Sequence, residues 1–542
     1  MLRRDRQALL RPQGKVCAGV SQITFAKPVG IAKEAAMQKR LSLVLLCSAL
    51  LSVLLSCGTA TVPVNSIPVN GSAPVALTMT DDPPSGVSVL SFQVSLTGAT
   101  LTPANGTGSA ISLVGNPIQI DVTQLQALSA FLANENVPAG TYSSLSLTFA
   151  NPQLVIFNTA DTSLGSSCAV GSICTLTPAI DNSATVSFTS APFPLAVSSS
   201  TPLGLLIDFH LNTVIQSDLS VNLGAANGIS LSQTPATAAG QPPPFGFVTG
   251  TFLSMNASQN QFTMQTAWGK TLTVDVNSNT QLVDWPPCVA PGGLSCLTAG
   301  DAVQVQVAAV ESDGSLLAAS VKWLLVNQGQ SVLGTVVGIV PLKLLVLASP
   351  SAAAGPAPPQ GAMATVTLDN GATFAVDANG FTIPSGLVFS STENLTFGQE
   401  LQVEVDPGSW SCASSNSVPG PPPSCTFSTN SVQLEPSQIS GTVSNISAPD
   451  FTLTYASYPA CISTPGVSAC PTYVALVQRV VDTTAQTVYQ GFNPDSFSGL
   501  ANNDVVSVNG WIFEDDNGLL DPAMTQPVVL VQDIRLHPGG TF

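Results

Sequence analysis

Histidine is almost missing from this chain: its 542 residues include two, His210 and His537. Two imidazoles leave little room for general-base chemistry, and a structural zinc centre needs four ligands that the chain does not offer in zinc spacing. Positive charge is nearly as scarce, with 14 basic residues against 31 acidic ones. Extended helical periodicity is rare as well, so a helical protein is excluded. What is abundant is apolar sequence, 44% of residues against 8% charged, which excludes disorder. Together with many Gly, Pro, Ser, Thr and Val residues, this balance predicts an all-β protein outside the cytoplasm.

The few basic residues are unevenly placed. Nine of the 14 (Arg3, Arg4, Arg6, Arg11, Lys15, Lys27, Lys33, Lys39, Arg40) precede residue 57, with only Asp5 and Glu34 beside them. From Cys57 onward 5 basic residues face 29 acidic ones, a formal charge of −24. Nucleic acid is not a partner for such a surface, because phosphate contact needs clustered lysine and arginine. Anionic lipid headgroups are disfavoured for the same reason.

Met37-Gln38-Lys39-Arg40 followed by the apolar run Leu41–Leu55 has the layout of an export signal and is too short to span a bilayer. It ends in Leu54-Leu55-Ser56-Cys57, which resembles the lipobox of bacterial lipoproteins. The resemblance implies cleavage before Cys57, acylation of its sulfur and a stable lipid anchor, since each buried methylene adds about 0.8 kcal/mol. Gly58 lacks the aspartate associated with inner-membrane retention, so outer-membrane placement is implied, facing periplasm or cell surface. Residues 1–36 read as an over-extended start, 37–57 as the signal peptide and 58–73 as a tether.

Eight later cysteines fall in four local pairs: Cys168/Cys174, Cys288/Cys296, Cys412/Cys425 and Cys461/Cys470. Each pair brackets a Gly-, Pro- or Ser-rich loop, and none has the two-residue spacing of a redox motif. They read as disulfide staples, which persist in oxidising compartments.

The first domain spans 74–232. VSVLSFQVSL (Val87–Leu96) alternates with period two, Asn105-Gly106 predicts a turn, and Leu125, Leu128, Phe131 and Leu132 predict one helix over Val122–Leu132. The phrases LTMTDDPPSGVSVLSFQVSL, IQIDVTQLQALSAFL, VPAGTYSSLSLTF and LLIDFHL resemble, in order and spacing, domain-of-unknown-function family 4382. That resemblance implies a β-sandwich without an established activity. Asp81-Asp82, ahead of Pro83, predicts a turn start.

A Pro/Gly linker, 233–246, leads to internal repetition. Gly250-Thr251-Phe252, Gly334-Thr335-Val336 and Gly441-Thr442-Val443 open three units over 247–327, 328–436 and 437–542. Each unit continues with a Val-Asp pair (Val274-Asp275, Val376-Asp377, Val481-Asp482) and then a turn and strand: LTAGDAVQVQV, LTFGQELQVEV or LANNDVVSVNG. The units resemble domain-of-unknown-function family 5666, which implies small β-barrel-like domains. The second unit lacks the usual Asp-Gly turn, and the third has Asn503 where glycine is expected. The expected architecture is all-β, an N-terminal β-sandwich followed by three small barrel-like repeats.

No cofactor is indicated, and a catalytic set is incomplete. Asp208 and His210 share the polar face of a strand, a fragment of a charge relay without its serine motif. Asp515, Asp516 and Asp521 in EDDNGLLD offer oxygen ligands for calcium, but the ligand order of a calcium loop is broken and Asn517-Gly518 reads as a turn. Trp285, before Pro286-Pro287-Cys288, could stack on a sugar ring or a partner; buried packing is the commoner use of tryptophan. His537, beside Pro538 near the end of the sequence, reads as exposed. The functional expectation is a lipid-anchored envelope protein with a non-catalytic binding, adhesion or structural role toward a polysaccharide or another envelope protein. The alternatives are a carbohydrate-active or ester hydrolase and a calcium-stabilised surface scaffold.

Overall fold

The structure, a computed structural model, describes residues 71–537 apart from 83–87, 107, 159–167, 170–171, 182, 217, 236–245, 284–292, 325–329, 349–360, 379, 414–421, 456–476 and 515–526. Strands dominate. Among the described residues the only α-helix is the single turn Leu211–Val214.

The first domain contains β1 (Ser72–Asp82), β2 (Ser88–Pro103), β3 (Ile111–Ser112), β4 (Ile118–Asp121), β5 (Ala130–Pro138), β6 (Gly140–Phe157), β7 (Ile173–Leu176), β8 (Thr185–Phe188), β9 (Leu195–Val197), β10 (Leu203–His210) and β11 (Ile229–Pro235). One sheet runs β11-β10-β1-β5, and the other runs β3-β2-β6-β7 with β4, β8 and β9 alongside. Period-two patterning explains how they face each other. Leu205, Ile207 and Phe209 from the first sheet and Phe92, Leu147 and Phe149 from the second are buried in one core. The Phe149 and Phe209 rings meet edge to face at 5.5 Å. Tyr142, in the VPAGTY phrase, donates its hydroxyl to Pro138 O at 2.8 Å and fixes the β5–β6 turn.

Two local expectations are corrected here. The helix predicted over Val122–Leu132 does not form: Val122–Leu125 is one 3₁₀ turn capped by the Asp121 carboxylate, and Ala130 onward is strand. Pairing with β1 from Ser72↔Pro138 to Met79↔Ala130 satisfies the β5 backbone and buries Leu132 and Val137, and this ladder claims Ala130–Leu132 from the end of the expected helix. Asp81 does not start a turn either; it continues β1 in parallel register with Phe209 and is buried.

The rest of the chain holds β12 (Phe247–Asn256), β13 (Gln261–Thr266), β14 (Thr271–Asp275), β15 (Gln281–Val283), β16 (Ala302–Val310) and β17 (Leu316–Leu324). It continues with β18 (Gln330–Gly338), β19 (Leu342–Ala348), β20 (Met363–Val376), β21 (Glu400–Val405), β22 (Ser411–Ala413) and β23 (Ser424–Glu435). Last come β24 (Ser437–Ser447), β25 (Asp450–Tyr455), β26 (Val477–Asp482), β27 (Val488–Gln490), β28 (Val505–Phe513) and β29 (Val528–Leu536). Pairings close three five-strand circuits: β12-β13-β14-β17-β16, β18-β19-β20-β23-β21 and β24-β25-β26-β29-β28.

The opening glycines show why the circuits can close. A Cβ on Gly250, Gly334 or Gly441 would stand 2.5, 2.8 or 2.4 Å from a carbonyl oxygen of the next strand (Gln265, Leu345 and Thr454). Each first strand turns between two partners at that point, and only glycine permits the approach. A second device recurs at the turn before β16, β21 and β28. Gly300, Gly398 and Asn503 all have positive φ, at 105°, 84° and 73°. Asn503 takes the left-handed conformation that asparagine tolerates, so its departure from glycine leaves the turn intact. The following side chain, Asp301, Gln399 or Asp504, accepts from the backbone N–H three residues earlier at 2.8 Å in every case.

The sandwich and the barrels pack against one another, and Pro68–Phe542 is one compact unit. Asn134 donates to Gly314 O at 2.7 Å and Lys270 pairs with Glu135, joining the sandwich to the first barrel. Leu90, Val155 and Ile173 of the sandwich pack with Val337 and Leu345 of the second barrel. The second and third barrels share a core, with Trp511 and Phe513 packed among residues of β18–β23. Finally the third barrel returns to the sandwich: Arg535 binds Thr80, Ser129 and Leu128 O, while Gln438 binds Gln124 O and Ala127 N.

Candidate functional site

Asp208 and His210 lie on β10 as the alternation predicts, half-buried on the face opposite Phe209. Parallel pairing sets Asp208 beside Thr80 and His210 beside Asp82, and His210 precedes the Leu211–Val214 turn. The other histidine is a correction: His537 is 5% exposed, not a surface residue. Its Nε2 is 2.7 Å from Ser507 Oγ, which in turn meets Ser440 Oγ, and Ser440 binds Gln126 of the sandwich. Ser507 is fully buried at mid-strand, so this serine–histidine contact is a polar tie across the seam and not a reachable nucleophile.

Cys168–Cys174 and Cys412–Cys425 form disulfides, and Cys296 is disulfide-bonded as well. Cys288, Cys461 and Cys470 lie outside the described residues, as do Cys57, Trp285, Asp515, Asp516 and Asp521. Among the described residues no group of three or more His, Cys, Asp or Glu is placed to hold a metal. Trp511 is a core residue, its ring tilted against Phe381 at 5.4 Å and its indole N–H donated to Asp377 O at 2.7 Å. Trp410 packs on Phe427.

The repeated Val-Asp pairs, noted in the sequence only as punctuation, carry the clearest electrostatics. Asp275 and Asp482 end strands and Asp377 directly follows one, and each meets a different partner. Asp275 accepts from Gln261 Nε2 at 2.9 Å and from Ser315. Asp377 receives Lys322 from the neighbouring barrel. Asp482 stands opposite Asp450 in the β25–β26 ladder, one carboxyl against another. Burial first, then the Asp450 charge, pushes Asp482 up to about 6. Beside this pair an open groove of about 580 Å³ runs past Pro449, Thr483, Thr484, Tyr489, Asp495 and Phe497. Its wall offers hydroxyls and two aromatic rings. The signal that could have flagged Asp482 was the repetition itself; Asp450, in an ordinary Pro-Asp turn, had none.

Fold and chemistry together define an all-β protein: a sandwich followed by closed five-strand circuits, with buried carboxyls where elements meet and no assembled catalytic set among the described residues. The family comparisons give the same domain order. Residues 72–234 match the domain of unknown function (DUF4382), and residues 246–322 match the domain of unknown function (DUF5666). No curated protein matches the chain.

Proposed function

We propose that this chain is a lipid-anchored, extracytoplasmic protein of the cell envelope with a non-catalytic binding or structural role. The observation that carries the reading is the pair of disulfides at Cys168–Cys174 and Cys412–Cys425, which require an oxidising compartment. The export layout ending at Cys57 supplies the route, and the −24 charge downstream of it keeps nucleic acid and anionic lipid away. In this reading the packed domains form a rigid body, with the groove by Tyr489 and Phe497 as its concave face toward a hydroxyl-rich ligand such as a polysaccharide. Fractionation of cells expressing the full chain tests the anchor: wild type in the membrane fraction with an acylated Cys57, Cys57→Ser released and unacylated. Wild type in the cytosol with free thiols would overturn the address. A glycan array probed with residues 58–542 tests the binding role, which predicts retention of at least one polysaccharide and its loss in Tyr489→Ala.

A further inference from the structure

From Cys57 onward this chain has five basic residues, and Lys322 spends its charge across a seam. It projects from β17 of the first barrel to Asp377, just after β20, and to Glu435, the last residue of β23. Its Nζ pairs with Asp377 Oδ2 and lies 3.4 Å from Glu435 Oε2. The site is nearly dry: Asp377 and Glu435 are 2% and 7% exposed, and the Lys322 side chain 14%. The third barrel reaches the same point through the Trp511 N–H on Asp377 O.

Two carboxylates and one ammonium leave a surplus negative charge in a place with little water to solvate it, which is costly. The geometry removes that cost in a specific way. The Asp377 and Glu435 carboxylates converge on the one Lys322 Nζ. One ammonium balances one carboxylate, so a neutral site requires a proton on the other. Asp377 is the one that contacts Lys322 closely, and Glu435 Oε1 is buried without a hydrogen-bond donor. An acid O–H suits Glu435; a carboxylate would leave a charged oxygen unsatisfied there.

We propose that the meeting point of the three barrels is a proton-held lock, in which Glu435 keeps a proton beside the Lys322–Asp377 pair and its loss loosens the seam between the first and second barrels. Other groups facing Glu435 reinforce this. Its cross-strand neighbour on β21 is Glu400, another acid, whose carboxyl accepts from Gln438 N; β28 brings only the neutral Trp511. The remaining acids of the packed strands lie farther off, Asp369 mid-way along β20 and Glu404 near the far end of β21. Burial holds Glu435 well above the ordinary carboxylate range, with Lys322 pulling the other way.

The sign follows from linkage. An acid whose folded value is raised stabilises fully below its unfolded value, here 4.5, and that stability is lost as pH rises through the folded one. Opening the seam then releases about one proton, so its opening constant rises about tenfold per pH unit above pH 4.5.

Infrared difference spectroscopy on the full chain reads the proton directly. At pH 7 wild type is expected to show carboxylic-acid C=O absorption of which part disappears in Glu435→Gln, with Glu400→Gln removing a separate part. Hydrogen exchange of β17 and β23, corrected for intrinsic rates, gives the seam. Wild type loses protection with rising pH, Glu435→Gln keeps it, and Lys322→Met loses it at every pH above about 5. Acid absorption unchanged in Glu435→Gln, or exchange profiles of wild type and Glu435→Gln that run parallel, would overturn the lock.

Discussion

Replacing Glu400 by glutamine should flatten the dependence of stability on pH. Glu400 opens β21, paired with Thr335 on one side and Glu435 on the other, and its backbone N–H donates to Ser437 Oγ at 2.9 Å. The carboxyl sits under Gln438, the residue that bridges to the sandwich, and is buried. Burial, reinforced by the Asp121 charge, pushes its pKa from 4.5 up to about 8. Folding therefore takes up about one proton at Glu400 throughout that interval, and each pH unit costs about 1.4 kcal/mol of stability as pH rises. Between pH 5 and pH 7 the loss from this one group is about 3 kcal/mol, a large part of a domain's margin. Glutamine has the shape and keeps an oxygen for the Gln438 N–H at 3.4 Å, but it never ionises. Urea unfolding at pH 5, 6, 7 and 8 should show the variant close to wild type at pH 5 and more stable by about 3 kcal/mol at pH 7 to 8. Parallel curves would refute the reasoning, because they would mean that Glu400 is ionised in the folded protein.

Asp482→Asn should remove a similar slope at lower pH, between 3.8 and about 6, seen as a smaller fall in Tm over that interval. Gly441→Val sets a branched side chain where Cβ alone would stand 2.4 Å from Thr454 O, and should cost about 3 kcal/mol or more in urea unfolding. Gly115→Ala, which meets nothing within 4 Å, is the neutral control. Asn503→Gly should stay within about 0.5 kcal/mol of wild type and Asn503→Val lose about 1 to 2 kcal/mol, since φ is 73° there. Arg535→Ala removes the charged donor that binds Thr80, Leu128 O and Ser129, and should raise hydrogen exchange in residues 124–131 with a loss of about 2 to 3 kcal/mol.

The strands were legible because a half-buried strand writes itself as alternation, as in Leu205, Ile207 and Phe209, and the turns because glycine at positive φ marks them. Gly314 behaves as its Asp-Gly turn predicts, with Asp313 accepting from Ser315 N at 2.9 Å. Where sequence reading failed, the deciding partner was distant in the chain. Phe131 and Leu132 fit a helical face and a strand equally well, and only the β1 edge 50 or so residues earlier decides between them. His537 looked exposed because nothing local reveals Ser507 or, beyond it, Ser440 and Gln126. Lys322 alternates as any polar strand residue would. The signal that could have singled it out is scarcity: with so few cations after residue 57, each is worth tracing.

That scarcity also orders the seams. Lys270, Lys322 and Arg535 each bind across a domain boundary, to Glu135, to Asp377 with Glu435, and to Thr80 with Ser129. A surface carrying this much negative charge repels itself, so bringing four acidic domains together needs either cations or protons where they touch. The aspartates of the three Val-Asp pairs show different solutions: Asp275 is held by an amide and a hydroxyl, Asp377 by a lysine from the next barrel, and Asp482 stands opposite another carboxyl. Neutral donors work at any pH and lysine works until strongly alkaline pH, whereas a proton works only while it stays bound. The position recurs and the neutralising partner does not, and the second barrel, which adds the buried Glu400 and Glu435 to Asp377, should be the most sensitive to pH across the neutral range.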